Sequence, residues 1–344
     1  MDHTRMKFPS IKAFGVVFLL GAALLFAIGL QIDGDGLGFH GPMELMAIFN
    51  NGDLEAKLYW NFRLPRVFAA VVIGAGLAAA GTGFQAVLRN PLAEPYTLGV
   101  SSGSALAAVI AIRLGLDQIW GHFGVGLLSL LGAWLTIYFV WKLAKVNQEL
   151  PAATLLLAGI AIAMFSSAAS LAIQYTADLS EVYRIVRWMM GGLVGVSGSP
   201  LLFSSLGIIL SSLMLFKLSK ELNALSGGSE LAASLGVDVY KTTTLVFALG
   251  SIIVGLGISL AGPIGFVGLI VPHTVRMIFG SDHRVVLPIS MLGGAVLLLV
   301  CDCLSRIVLW PAELPVGILT ALLGGPFFLW LLLREKKRGH IWGQ

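Results

Sequence analysis

The chain has 344 residues, of which 57% are hydrophobic and 12% are charged, and its mean hydropathy is +0.90. A soluble domain carries about 25% charged residues, so these values exclude an ordinary soluble enzyme. The net charge of +4 does not indicate a nucleic-acid partner, because the basic residues fall in short segments beside apolar runs. Basic residues in that position act as retention signals next to anionic lipid.

The apolar runs are long enough to cross a membrane, which takes about 20 residues of helix. The sequence therefore predicts an all-α polytopic membrane protein of about ten transmembrane helices. Residues 1–344 are expected to form a single transmembrane domain. The spans are predicted near 11–31, 64–84, 97–115, 122–143, 152–173, 200–218, 244–261, 264–279, 287–309 and 314–333.

The basic residues are unequally divided between the two sides of this ten-span arrangement. Fifteen of the 22 Lys and Arg residues fall on the side that holds both termini. Cytoplasmic loops retain positive charge, so both termini are predicted to be cytoplasmic. The seven basic residues on the outer side are Lys57, Arg63, Arg66, Arg113, Arg184, Arg187 and Arg306.

Two segments on the outer side, 32–62 and 174–199, are long enough to have roles of their own. Within the second, the stretch from Val186 to Leu193 is apolar but too short to cross the membrane. It predicts a short helix near the outer interface.

The longest inner segment is 219–243. It predicts two short helices that are separated at Gly227-Gly228 and ended by Gly236, because glycine commonly terminates helices.

Small residues indicate where helices pack closely. Gly74, Gly76, Gly81 and Gly83 lie in the second span. Small side chains let helix backbones approach each other in lipid, so this span is predicted to lie inside the helix bundle.

Proline and glycine also mark the eighth span, which Pro263 and Pro272 bracket, with Gly265 and Gly268 between them. These residues favour a kinked helix whose freed carbonyls are satisfied by neighbouring segments.

Asp302 is the main ionisable residue predicted inside a span, and it precedes Arg306 by four residues. That spacing lets two side chains pair on one helix. A secondary carrier driven by ions would be expected to place more titratable groups in the mid-membrane region. Their scarcity indicates that the energy for transport enters from elsewhere.

Four segments together resemble the permease subunits of ABC importers for iron chelates, haem and cobalamin, the FecCD-type family. The resemblance runs from about residue 60 to 335, with matching order and spacing. The segments are NFRLPRVFAAVVIGAGLAAAGTGFQAVLRNPLAEPYTLGVSSGSALAA at 61–108, LLLAGIAIA at 155–163, AGPIGFVGLIVPHTVR at 261–276 and AELPVGILTALLGGPFFLWLL at 312–332.

The resemblance implies a type II ABC importer permease with ten helices per subunit, working as a homodimer or close heterodimer. It also implies two cytoplasmic ATPase subunits, which bind ATP and Mg²⁺, and an external substrate-binding protein. The cargo expected first is an iron–siderophore chelate, with cobalamin and haem as alternatives. The expected location is the cytoplasmic membrane of a bacterium or archaeon.

The resemblance also implies roles for particular outer residues. Arg63, Arg66 and Arg306 match arginines that pair with glutamates of the binding protein in the cobalamin permease. Arginine suits this task because its planar fork grips a carboxylate in two places. The alternative is that these residues anchor helix ends at the headgroup level.

On the inner side, residues 222–240 correspond to the family's coupling helices, which rest in a groove on the ATPase. Ala233 and the Gly227-Gly228 pair depart from the family's usual pattern there. The residues expected to contact the ATPase are Leu222, Asn223, Leu225, Ser226, Gly227, Gly228, Glu230, Leu231, Leu235 and Gly236.

Pro151, Ala152 and Ala153 align with the inner gate region of the cobalamin permease. That permease has small hydroxyl residues there, whereas this chain has alanines. The resemblance therefore implies a gate made of small apolar side chains.

Two short motifs suggest enzymes. Residues 225–229, LSGGS, resemble the ABC ATPase signature, but the sequence has no GxxxxGK[ST] loop to cradle phosphates. The chain is therefore not expected to hydrolyse ATP, and it has no candidate cofactor or metal site. GVSSG at 99–103 fits a serine nucleophile motif, so an intramembrane protease with Ser101 and His273 is the alternative from a different class.

Overall fold

The computed structural model describes residues 54–94, 98–146 and 150–337. The first predicted span, at 11–31, and residues 32–53 of the outer segment lie outside the described residues. The described chain is helical along most of its length, as predicted. In chain order its first elements are α1 (Leu54–Leu58), a π-helical turn (Tyr59–Arg63), α2 (Leu64–Val87), α3 (Val100–Arg113), α4 (Leu116–Ala144), α5 (Ala152–Tyr175) and α6 (Leu179–Met189).

The second half of the chain contributes seven further helices. They are α7 (Gly198–Lys217), α8 (Ser219–Ser226), α9 (Ser229–Ser234), α10 (Val239–Ala261), α11 (Val267–Phe279), α12 (His283–Ile307) and α13 (Val316–Lys337).

Six helices of the described chain are long and apolar enough to cross a membrane. Three more apolar helices, α3, α11 and the apolar part of α13, are shorter. These nine correspond to predicted spans two to ten, and the total of ten stays a prediction. The described residues thus have the all-α polytopic architecture expected from the sequence.

Helix α2 lies at the centre of the bundle, with 83% of its most apolar stretch buried. It packs mainly on α12, α10, α7 and α11. A methyl group added at Gly74 would lie 2.3 Å from the Gly294 oxygen, and one at Gly81 would lie 2.0 Å from the Gly268 oxygen. Both distances are shorter than a van der Waals contact, so only glycine permits these backbones to approach. The predicted close packing of the second span is confirmed.

Helix α5 differs sharply, because only 17% of its most apolar stretch is buried. Its buried residues are Leu155, Gly159, Ser166 and Ser170. It is nevertheless as apolar as α2. One broad face of α5 is therefore not covered by the described part of this chain.

The eighth predicted span begins later than expected. Helix α11 starts at Val267 rather than at 264, because Phe266 adopts a left-handed backbone conformation with φ of +68°. Its 13 residues are about 20 Å long, against a hydrocarbon thickness of about 30 Å. Residues 262–266 therefore form a non-helical break between α10 and α11, as the prolines and glycines suggested.

The outer helix was placed wrongly by the apolar pattern. It covers Leu179–Met189 rather than Val186–Leu193. Asp178 begins it with a capping box, in which the Glu181 backbone N–H donates to the Asp178 carboxylate at 2.8 Å. Gly191 follows its end with φ of +67°. The polar cap and the glycine, rather than apolarity, set its limits.

Aspartate caps also lengthen two of the spans. Helix α10 begins after Asp238 and α12 begins after Asp282, in each case four or five residues before the predicted start. Each carboxylate accepts a hydrogen bond from a backbone N–H of the first turn. Polar first turns extend these helices beyond their apolar stretch.

Candidate functional sites

The end of the bundle that is predicted to face outward contains a buried ion network around Asp302. Asp302 is fully buried on α12. Its carboxylate accepts from Arg66 Nε of α2 at 2.8 Å and from Arg306 Nη2 one turn further along α12. The predicted pairing of Asp302 with Arg306 is confirmed, and Arg66 is a second partner that the sequence did not suggest.

The same network extends to the loop between α12 and α13. Arg66 Nη1 lies 2.8 Å from Glu313 Oε2, and Arg66 Nη2 lies 3.4 Å from Ser305 Oγ. The loop is fixed by a hydrogen bond from Leu314 N–H to the Ser305 oxygen at 3.0 Å. One arginine therefore holds together α2, α12 and the loop, and Glu313 comes from the PAELPVG segment.

These contacts bear on the predicted docking arginines. Arg306 is only 4% exposed and Arg66 12%, and both already hold Asp302. Arg63, at the end of the π-helical turn, is half-buried. Their docking role stays a prediction, and in this arrangement Arg66 and Arg306 would have to exchange internal carboxylates for those of a partner.

The two short helices predicted in the inner segment are present as α8 and α9, and their coupling role stays a prediction. They are separated at Gly227 and Gly228, and Gly228 has φ of +115°. Gly236 follows α9 with φ of +81°. The break and the termination that the sequence predicted are both confirmed.

The leucines of these helices divide into two groups. Leu222 and Leu225 are buried within this chain, and Leu225 packs in a small core with Val87 at the end of α2. Leu231 is 49% exposed and Leu235 65%. The predicted apolar contact with an ATPase therefore rests on Leu231 and Leu235, because the other two leucines attach the coupling helices to the bundle.

The first coupling helix is also bonded to the start of α12. Asn223 Nδ2 donates to Asp282 Oδ1 at 2.8 Å. Asn223 Oδ1 accepts from the backbone N–H of His283 at 2.8 Å and lies 2.8 Å from His283 Nδ1. Asn223 was predicted to belong to the coupling site, but no sequence pattern indicated these partners.

The predicted gate residues lie where α5 begins. Pro151 is the residue before the helix, and Ala153 is exposed. Thr154 Oγ1 donates to the Ala144 oxygen at 3.0 Å, which ties the start of α5 to the end of α4. The gate role of Pro151, Ala152 and Ala153 stays a prediction.

An apolar cavity of 630 Å³ lies where the non-helical breaks meet. Its walls include Met189 and Met190 at the end of α6, Phe266 before α11, and Ile318 and Leu322 of α13. Backbone contacts hold these walls together. Gly192 N–H donates to the Ala261 oxygen at 2.7 Å, and Gly317 N–H donates to the Gly191 oxygen at 3.3 Å.

Glu94 is the acidic residue in the wall of this cavity. It is 8% exposed, and its carboxylate accepts a hydrogen bond from the Phe266 backbone N–H. A negative charge is favoured at a helix N-terminus, which is where Phe266 lies. Glu94 thus joins the segment after α2 to the break before α11. It belongs to the RNPLAEP segment, but nothing in the sequence pointed to its partner.

These features describe a membrane bundle with a buried ion network, a pair of short helices and an apolar cavity. The sequence model of the FecCD transport family matches residues 15–334. This chain belongs to that family. The resemblance that its motifs carried is thereby confirmed.

Relatives in the family cover most of the chain. The hemin transport system permease protein of Yersinia pestis is 37% identical over 93% of this chain and 96% of its own length. The vitamin B12 import system permease protein of Klebsiella pneumoniae is 39% identical over 81% of this chain and 83% of its own length.

A solved structure also matches nearly the whole chain. It is described as an inward-facing conformation of a metal-chelate type ABC transporter, with a TM-score of 0.82 and 32% identity. The match covers 94% of this chain and 99% of the other. The likeness supports the type II permease architecture.

The family also bears on the protease alternative. Ser101 is buried in the first turn of α3, and the His273 ring packs edge-on against Phe327 with centroids 6.2 Å apart. The GVSSG motif therefore opens a helix rather than the strand-to-helix turn of a nucleophile elbow. Membership of a transport family favours a transporter over a protease.

Proposed function

We propose that this chain is the membrane-spanning subunit of a binding-protein-dependent ABC importer for a metal chelate. It supplies the pathway through the cytoplasmic membrane, and separate ATPase subunits supply the energy. The observation that carries this proposal is the match, over most of the chain, to relatives named as permeases for hemin and vitamin B12. The chain performs no covalent chemistry on its cargo.

The uncovered face of α5 supports a second permease copy. Four exposed alanines, Ala153, Ala161, Ala168 and Ala172, recur along one face of this helix. Small side chains contribute little against lipid tails but let another helix approach closely. Two copies that meet at this face would enclose a pathway between them, and a homodimer is the simplest assembly.

The two ends of the bundle suit the two kinds of partner. At the inner end, exposed Leu231 and Leu235 on short helices offer an apolar contact to each ATPase. At the outer end, Arg63 offers a cation to the carboxylates of a binding protein, and Arg66 and Arg306 would do so by exchanging Asp302 for those carboxylates. A transporter of this type needs only that its partners stabilise two states of the pathway differently.

The lining of the cavity suits a cargo that is held weakly. Its walls are mainly apolar, and Glu94 provides one acidic group. Because the walls carry few polar groups, they can form few hydrogen bonds to a chelate, which could therefore pass without being trapped. The sequence led us to expect an iron–siderophore first, whereas the relatives above are named for hemin and vitamin B12 transport. We therefore propose a metal chelate as the substrate class and do not choose among these compounds.

Reconstitution in liposomes tests the proposal. The chain is assembled with its cognate ATPase and binding protein and offered radiolabelled hemin, a ferric hydroxamate siderophore and cobalamin separately. We expect ATP-dependent accumulation of one of the three when the binding protein is present. Accumulation of none by an assembled complex, or accumulation that ignores the binding protein, would contradict it.

A further inference from the structure

We propose that Asn223 is a positioning residue that fixes the first coupling helix to the inner end of α12, so that motion of α8 reaches the outer arginine network through α12. This inference rests on the proposed function, since it concerns how an ATPase would move the permease. It adds a specific joint to the general contact surface that the coupling helices provide.

The joint is made by one side chain that uses both ends of its amide. Asn223 Nδ2 donates to Asp282 Oδ1, and Asn223 Oδ1 accepts from the His283 backbone N–H, each at 2.8 Å. The His283 ring nitrogen Nδ1 lies 2.8 Å from the same oxygen. Three contacts fix the direction of the amide, so α8 and the first turn of α12 are held in a single register.

Asp282 is well placed to pass this constraint on to the helix. It is the residue before α12, and its carboxylate also accepts from the Arg284 backbone N–H at 3.0 Å. His283, the first residue of α12, is only 2% exposed. The joint therefore acts on the end of the helix itself rather than on a loose loop.

Helix α12 is suited to carry motion across the membrane. Its 25 residues form one uninterrupted helix about 37 Å long. Pro288 removes one backbone donor, but fully buried Val286 and Leu287 hold that turn in the core. Midway, Gly294 touches the backbone of Gly74, so α12 and α2 are packed as a unit.

The far end of this unit is the ion network. Asp302 of α12 holds Arg306 of the same helix and Arg66 of α2. A displacement of α12 at its inner end would therefore move the carboxylate that keeps both arginines inside the bundle. The path from α8 to the outer face consists of hydrogen bonds, one helix and one ion network.

The chemistry of the joint provides a swap that tests it. In N223D two carboxylates face each other, and the donor to Asp282 is lost. In the double variant N223D/D282N the amide and the carboxylate exchange places: the new amide oxygen at position 282 accepts from the Arg284 N–H, and its Nδ2 can donate to the new carboxylate at position 223. Asn caps a helix as well as Asp does, so D282N alone keeps an acceptor for both Asn223 and Arg284.

The measurement uses the complete complex in liposomes, with the radiolabelled chelate that the wild type accumulates most among hemin, a ferric hydroxamate siderophore and cobalamin. Uptake and ATP hydrolysis are recorded together. We expect N223D to lose uptake by about tenfold while it keeps most of its ATP hydrolysis, so more ATP is spent per molecule moved. D282N and the swap variant are expected to stay within about twofold of the wild type.

The control is K217Q, which removes one positive charge from an exposed site at the inner end of α7. It changes the net charge by as much as N223D does, and its ATP use per chelate should match the wild type. A mere loss of stability in N223D would lower uptake and hydrolysis together.

Several results would overturn the joint. One is that N223D hydrolyses as much ATP per chelate molecule taken up as the wild type does. Another is that the swap variant assembles but hydrolyses as much ATP per chelate molecule as N223D does. If N223D does not assemble, the swap variant decides: coupled uptake supports the pairing, and failure to assemble or to transport contradicts it. Absence of ATP-dependent uptake by the wild type would contradict the proposed function itself, whereas uptake that N223D leaves unchanged contradicts only the joint.

Discussion

Helices α2 and α5 have nearly the same mean hydropathy, 1.9 and 2.1, yet 83% of one and 17% of the other is buried within the chain. In lipid, an apolar side chain does not need to be covered by protein, so apolarity alone does not decide which helix lies at the centre. Helix α2 makes close backbone contacts through Gly74 and Gly81 and carries the ion pair of Arg66, whereas α5 makes such a contact only through its single glycine, Gly159.

The two helices therefore depend on different neighbours for packing. The surroundings of α2 are supplied by α12, α10, α7 and α11 of the same chain. The described part of this chain leaves most of α5 uncovered, although α5 too is rich in small residues. Changes in the α2 region should therefore damage the fold of one subunit, whereas changes on the open face of α5 should damage assembly and transport.

The largest effect is expected at Asp302. In D302A two buried guanidinium groups lose their shared carboxylate, and breaking a buried ion pair in this way costs about 3–5 kcal/mol. Thermal unfolding of the purified subunit in detergent should show a large loss of stability. The triple variant R66M/D302L/R306M removes the charges together and should be less destabilised than D302A, and a triple variant that is more destabilised would contradict this account.

A smaller loss is expected for G81A. The new methyl group would meet the Gly268 backbone at 2.0 Å, and overpacking typically costs about 1–3 kcal/mol. The same unfolding assay measures it. The matched control is Gly325 on α13, where an added methyl group has no neighbour within 4 Å, so G325A should unfold like the wild type.

On the uncovered side we expect A168L to leave the unfolding of the single subunit unchanged, because Ala168 is exposed. The bulkier side chain should keep a second helix at a distance and weaken assembly. Cross-linking or mass photometry of the complex measures the paired fraction. L157A reduces side-chain bulk on the same exposed face and should interfere less. Normal pairing and transport by A168L would place the second copy elsewhere.

The smallest effect concerns the cap of α6, the helix that follows α5. The Glu181 backbone N–H holds the pKa of Asp178 below its ordinary value of 3.8. A lowered pKa in the folded state means that the cap stabilises α6 fully above pH 4 or so and loses this contribution as the pH falls through the folded pKa. Fluorescence of Trp188 within α6 should therefore change at low pH, and D178N, which caps without titrating, should lack that change.

Much of the fold followed from the sequence because helix spans, small residues and glycine breaks leave local signals. The α8–α9 pair, broken at Gly227-Gly228, and the packing of the second span were predicted in this way. Helix limits were less accurate wherever a polar cap extends a helix beyond its apolar stretch, as Asp178, Asp238 and Asp282 do.

The site was harder to predict, because its contacts join residues far apart in the chain. Asp302 was paired with Arg306 through a four-residue spacing, but Arg66 lies 236 positions away. Asn223 with His283, and Glu94 with Phe266, are separated by 60 and 172 positions. No local pattern specifies such pairs, so the sequence identified several of the residues but not the bonds between them.

We propose above all that this chain forms the transport pathway and that separate ATPase subunits supply the energy. The most direct measurement compares chelate accumulation in liposomes that contain the permease with active ATPase subunits, with ATPase subunits that bind but do not hydrolyse ATP, and alone. Accumulation against a gradient is expected only with the active ATPase and the binding protein. Accumulation against a gradient by the permease alone, or with the inactive ATPase, would contradict it.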